Sequence, residues 1–152
     1  MVKTTEKVLV VAAHPDDEIL GCGGTMAKHI ASGSEVKVLF MTDGVSARHG
    51  VTAREAQQRR DAANEALAVI GIQEPEFFGF PDNELDKISN LDITKSIENV
   101  LLDYHATSIY THSQSDLNID HRLTSVATLT ACRPLPDVSF KSVLAFEVLS
   151  ST

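Results

Sequence analysis

The sequence predicts an α/β protein: a mostly parallel sheet covered by helices on both faces, a three-layer α/β/α sandwich. Three observations predict it. Apolar runs of strand length alternate with runs of helical periodicity in the order β-α-β-α-β-α-β-α-β, which parallel strands joined by right-handed crossovers satisfy. The first run, KVLVVAAH at 7–14, is continuously apolar rather than alternating, as a strand buried on both faces requires. And 152 residues, 43% of them hydrophobic, suffice for one core but hardly for two.

The elements follow in order. KVLVVAAH is the first strand. GCGGTMAKHIASG (21–33) reads as a helix, because Cys22, Met26 and Ile30 recur at four-residue spacing and Gly33 supplies a stop. EVKVLFMTDG (35–44) is a second strand that ends in a turn. AREAQQRRDAANEALAVIG (53–71) is a long helix with Ala63, Ala66, Leu67 and Ile70 on one face, closed by Gly71. PEFFGFPDNE (75–84) is a short extended segment broken by proline. LDITKSIENVLLDYHA (91–106) sets Ile93, Ile97, Val100, Leu101 and Tyr104 along one helical face. TSIYTHS (107–113) is a strand. HRLTSVATLTACR (121–133) is a helix carrying Leu123, Val126, Ala127 and Thr130, and VLAFEVL (143–149) is the last strand. Residues 81–92 are the least regular and are expected as a surface loop. No repeat, low-complexity tract or linker divides the chain, so residues 1–152 are expected to form a single domain.

Composition narrows the function. A formal net charge of −8 without a basic patch argues against a nucleic-acid partner, since phosphate contacts need a basic face. The run VLVVAA is too short to span a membrane and lacks a cleavage-site pattern, so neither a membrane span nor a signal peptide is expected. Cys22 and Cys132 lie far apart and form no CxxC pair, which makes a cytoplasmic location the default.

The chemistry concentrates in two polar knots. AAHPDDEILGCGG (12–24) places three consecutive acids directly behind the first strand, and in parallel sheets the ligand crevice lies outside the carboxyl ends of the strands. Carboxylates this close raise one another's pKa by repulsion, a penalty that a divalent cation removes. The second knot, THSQSDLNIDHR (111–122), supplies Asp116, Asp120 and His121 behind another strand. His14 and Asp17, three apart in a tight turn, together with His121 make a ligand set for catalytic zinc, with iron(II) as second choice. Asp16, adjacent to a ligand without having to be one, is the candidate general base for a water acidified by the metal.

These strings also match a family. AHPDDE after a hydrophobic strand, GCGGT, MTDG, the DHR triplet and the tail RPLPDVSFKSVLAFEVLSST resemble the PIG-L/LmbE-like deacetylases, from about residue 7 to the end of the chain. The resemblance implies a Rossmann-like fold and zinc-dependent hydrolysis of an N-acyl group, usually the N-acetyl of an amino sugar or glycoconjugate. Carried over by position, it implies His14, Asp17 and His121 as metal ligands and Asp16 as general base. It further implies a sugar-binding arginine at Arg59, with Arg60 and Arg48 as competitors.

The match departs at one point. Relatives carry HPDH where this chain reads NIDH, so Asn118 stands where a histidine helps stabilise the oxyanion or protonate the amine. Asparagine donates a hydrogen bond but moves no proton at neutral pH. Either Asp16 handles both proton steps or His112, at the end of its strand, substitutes. Asp120 orients a histidine in relatives. Family members continue past the last strand, so the pocket is expected to be completed by further chain or by a neighbouring subunit of a homo-oligomer.

Plainer readings exist. Asp16 and Asp17 suit a helix cap, and Asn118 and Asp120 suit a turn. The three glycines at 21, 23 and 24 lack dinucleotide spacing, and helix-strand packing explains them better. His29 and His105 read as non-functional, and His49 as a loop residue near the pocket. The alternative at the level of function is a non-catalytic, metal-dependent sugar-binding or scaffold domain of the same fold.

Overall fold

In the computed structural model, which describes residues 5–134 and 140–149, β1 (Lys7–Ala12) lies at the centre of a five-stranded sheet. On one side it pairs with β2 (Glu35–Thr42), which pairs with β3 (Glu76–Phe80). On the other side it pairs with β4 (Ser108–His112), which pairs with β5 (Ser142–Phe146). Every pairing is parallel. The expected mostly parallel three-layer architecture is therefore present.

The continuous apolar run of β1 now has its reason. Val8, Val10 and Ala12 face one layer, packed with Cys22 and Met26 of α1 (Asp17–Ala31) and Ala63 and Leu67 of α2 (Ala53–Val69). Leu9 and Val11 face the other, packed with Ile93, Ile97 and Leu101 of α3 (Asn90–Tyr104) and Ala127 and Ala131 of α4 (Ile119–Ala131). Alternate side chains of a strand point to opposite faces, so a strand covered twice must be apolar at every position. Each valine, leucine, isoleucine or methionine side chain buried this fully contributes about 1.5–3 kcal/mol against the unfolded chain.

The chain builds β1, β2 and β3 outward in one direction, then crosses over to build β4 and β5 in the other. The order reverses between β1 and β4, and their carboxyl ends carry the two polar knots. Val8 pairs with Ser108 and Val10 with Tyr110, so the segments after Ala12 and after His112 leave the sheet side by side. Ligand sites of open parallel sheets lie at such a switch point.

Four expectations are corrected. The first helix begins at Asp17, four residues before the glycine-rich stretch, so Asp17 and Glu18 occupy its first turn rather than a loop. It kinks at Cys22, whose φ and ψ of −142° and 20° are not helical. The fourth helix begins at Ile119, and its buried face matches the expected one only in part: Ala127 is buried and Leu123 packs against the core, but Val126 and Thr130 are exposed. Thr124, Ser125 and Thr128 are inside, while Val126 and Leu129 are exposed. The Thr128 hydroxyl is satisfied, donating to the Thr124 carbonyl at 2.7 Å and receiving Thr111 Oγ1 at 3.3 Å, whereas Thr124 Oγ1 has no partner among the described residues. Residues 81–92 are not simply a surface loop, since a 3-10 turn at Leu85–Lys87 buries Leu85 completely in the core. Of the tail that carries part of the family resemblance, residues 135–139 and 150–152 lie outside the described residues. No helix among the described residues is long and apolar enough to cross a membrane.

Candidate metal centre

Three side chains meet where β1 and β4 end. His14 lies in the turn after β1, Asp17 opens α1, and His121 sits in the first turn of α4. His14 Nδ1, Asp17 Oδ2 and His121 Nε2 form a triangle with all three sides 3.2 Å. Donors bound at about 2.0–2.1 Å to one tetrahedral ion stand about 3.3–3.4 Å apart. The triangle is thus the size that a small tetrahedral cation needs for three of its four positions.

The surroundings aim the lone pairs inward. His14 Nε2 faces two carboxylates, Asp120 Oδ2 and Asp82 Oδ1, each at 3.1 Å. Carboxylates only accept, so the ring proton belongs on Nε2 and the Nδ1 lone pair faces the triangle. His121 Nδ1 lies 2.8 Å from Asp116 Oδ2, which by the same argument leaves Nε2 free. Carboxylates behind histidines in this way fix tautomer and ring orientation at metal sites. Asp120 does more. Fully buried, it also accepts the Asn83 N–H at Oδ2 (2.6 Å) and the Leu85 N–H at Oδ1 (3.1 Å), which draws residues 83–85 over the site.

The charges agree with a place for a cation. Burial opposes a charge on His14, but its hydrogen bonds to Asp120, Asp17 and Asp82 outweigh burial and raise its pKa to about 11. Burial likewise opposes ionisation of Asp17, yet the imidazoles of His112, His121 and His14 around it hold it well below the usual carboxylate range. His121 is raised, burial being overcome by Asp17 and Asp116. The protein groups alone gather net negative charge here and retain a proton to offset it.

Asp16 lines the cleft beside this triangle without belonging to it. It precedes α1 with φ 140° and ψ −25°, a conformation that costs a non-glycine residue about 1–3 kcal/mol. Its side chain makes no cap hydrogen bond. Instead Oδ2 accepts from Arg59 Nη2 of α2 at 2.5 Å. Gly44, at the end of the MTDG string, lets this neighbourhood close: with φ 67°, it passes so near that a Cβ there would stand 2.8 Å from Pro15 Cδ. The cleft holds about 330 Å³, and His14, Asp16, Asp17, Arg48, Arg59, Asp82, Asn118 and His121 all contribute to its walls.

The remaining sequence candidates divide. Arg48 and Arg59 line the cleft, while Arg60 stacks over the Phe77 ring at 5.0 Å. Asn118 lines it too, but its Oδ1 caps α4 by accepting the N–H groups of Asp120 and His121, which leaves only its amide N–H groups for a ligand. His112 does not reach the cleft. It is completely buried, sandwiched between the rings of His121 (centroids 4.0 Å apart) and Phe146 (4.7 Å). Its Nε2 accepts the Ala13 N–H at 2.9 Å, and burial pushes its pKa down, so it is a neutral acceptor behind Asp17 and no proton donor to a ligand. Sequence reasoning missed Asp82. Its PDNE setting looks like an ordinary turn, and only its place beyond the carboxyl end of β3 marked it.

Residues 9–132 match the protein family described as PIG-L: GlcNAc-PI de-N-acetylase. The chain is 28% identical over 136 residues to a protein of Escherichia coli strain K12 named uncharacterized deacetylase YaiS, which covers 86% of this chain and 70% of that protein. It is 33% identical over 97 residues to the 1D-myo-inositol 2-acetamido-2-deoxy-alpha-D-glucopyranoside deacetylase of Mycobacterium sp. strain KMS, covering 57% of this chain and 31% of that one. The solved N,N'-diacetylchitobiose deacetylase from Pyrococcus horikoshii superimposes with a TM-score of 0.76 at 27% identity, over 85% of this chain and 50% of that one. The chain thus matches no more than half the length of the mycobacterial and Pyrococcus proteins.

Proposed function

This chain belongs to the PIG-L family, and from that membership we propose that it is a divalent-metal-dependent hydrolase removing an N-acetyl group from an amino sugar or glycoconjugate. Residues 1–152 act in this reading as one deacetylase domain. The observation that carries it is the 3.2 Å triangle of His14, Asp17 and His121 with an aspartate beside it in the same cleft. Those three residues would hold the ion, with zinc favoured by two imidazoles and one carboxylate. When bound, it supplies Lewis acidity, lowering the pKa of a water to about 7 and polarising the amide carbonyl.

The chain's own groups do the rest. Asp16 takes the proton of the attacking water, its carboxylate held in line by Arg59. The amide N–H groups of Asn118 are donors for the oxygen that becomes negative. With His112 buried behind Asp17, Asp16 is also the group that returns the proton to the leaving amine. Arg48 and Asp82 offer a cation and an acceptor to sugar hydroxyls.

The test joins metal analysis with acetate release from N-acetylated amino sugars. One divalent ion per chain is expected, and Asp16→Ala should keep the ion while losing about 10²- to 10⁴-fold in rate. Failure to bind any divalent ion after supplementation rules the reading out. The NIDH string favours a second reading, a sugar-binding domain without turnover; metal-dependent sugar binding with no acetate released would select it.

A further inference from the structure

The third acid of the motif has no part in the triangle or in the cleft wall. Glu18 is completely buried in the first turn of α1. Its Oε2 accepts the N–H of Asp16 at 2.9 Å, while its Oε1 has no hydrogen-bond partner among the described residues. Burying a carboxylate with one oxygen unsatisfied is unfavourable, and a cap alone does not require it. An exposed glutamate caps a helix perfectly well, as Glu55 does for α2, where it closes a capping box with Thr52.

Asp16 is what distinguishes the two sites. At φ 140° it holds a backbone conformation that L residues rarely adopt. Downstream it is anchored by the N–H groups of Ile19 and Leu20, which donate to its carbonyl at 3.1 and 3.0 Å. Upstream, the Glu18 carboxylate holds its N–H. Between those anchors the peptide cannot relax, and the side chain stays in the cleft against Arg59.

The geometry points to Glu18 as the positioning residue for the general base: by accepting the Asp16 N–H it locks Asp16 in its strained conformation and so aims the carboxylate beside the metal triangle. This rests on the proposed hydrolase reading. It also gives the three adjacent acids three separate tasks. Asp16 moves protons, Asp17 binds the ion, and Glu18 braces Asp16.

The experiment compares Glu18→Met, which keeps the volume but removes the acceptor, with Glu18→Gln, which keeps it. Displacing a catalytic group by a fraction of its length costs up to about 10²-fold. Glu18→Met should therefore lower kcat about 10- to 100-fold with KM and metal content unmoved, and Glu18→Gln should restore kcat to within about fivefold. In an Asp16→Ala background, Glu18→Met should cost nothing more, because the two act through one group. Native kcat in Glu18→Met, or full additivity with Asp16→Ala, overturns the proposal. Hydrogen exchange provides a readout that needs no activity: the Asp16 amide should be protected in the native chain and unprotected in Glu18→Met. A fast-exchanging Asp16 amide in the native chain overturns the brace even if the variant fails to fold. If instead Asp16→Ala keeps the native rate, the base assignment fails, and amide exchange alone still decides the brace.

Discussion

Asp120 shows how much a single side chain can coordinate here. One buried carboxylate receives the His14 ring N–H and two backbone N–H groups, from Asn83 and Leu85. Removing it leaves the buried Leu85 N–H without a partner and strips the part-buried Asn83 N–H of its acceptor, while His14 Nε2 keeps Asp82; a buried orphaned donor costs about 1–3 kcal/mol. Asp120→Ala should lower unfolding stability by about 2 kcal/mol or more, read from the midpoint of a urea titration. Asp116 is the control. It touches His121 from the rim of the site, so Asp116→Ala should weaken metal binding about 10- to 100-fold in a competition titration while moving stability by less than about 1 kcal/mol. A large stability loss in Asp116→Ala, or none in Asp120→Ala, would contradict this division. Both aspartates were visible in the sequence beside His121. Their partners were not: His14 lies 106 residues from Asp120 and Asn83 lies 37 from it, distances that no local pattern spans.

At the scale of elements, the legible part was whatever periodicity encodes. Strands read as apolar runs because the sheet is covered on both faces, and α3 read correctly because Ile93, Ile97 and Leu101 face the core. The buried face of α4 could not be read, because polar residues line it: the Thr128 hydroxyl bonds within the helix and to Thr111 of β4, and the Thr124 hydroxyl is buried without a partner among the described residues. The glycine-rich opening of α1 has a tertiary reason too. A Cβ on Gly21 would come within 2.3 Å of Phe146 Cδ2 on β5. That ring packs at a tilt on His112, which stacks on His121, so the closeness of α1 to the sheet reaches the metal triangle through this chain of rings. Gly21→Ala should cost about 1–3 kcal/mol by overpacking. Phe146→Leu in the same chain should recover part of it, as a thermal melt of the single and double variants would show. If the double variant is the sum of the two single losses, the contact is not what constrains Gly21.

Across the whole molecule, stability and metal binding are joined through protons. In protein stripped by a chelator, His14 carries a pKa of about 11 against an ordinary 6.5. Its contribution is complete below about pH 6.5 and fades as pH rises toward 11. Glu18 acts in the same direction at lower pH, since burial lifts it from 4.5 to about 7 and the folded state is penalised as it ionises. Asp17 acts oppositely: held below its ordinary 3.8, it stabilises above that value and loses its contribution as pH falls through the acid range. These three groups therefore predict that the melting temperature of stripped protein falls from about pH 6 to pH 9. A divalent cation in the triangle replaces the proton that His14 otherwise keeps, so its apparent affinity grows as protons become scarce. Bound ligand stabilises in proportion to the logarithm of concentration over Kd. The gap in melting temperature between zinc-loaded and stripped protein should then widen over the same range. A gap that stays constant or narrows would mean that the triangle binds its ion without displacing a proton, and that the carboxylates behind His14 do not hold it charged.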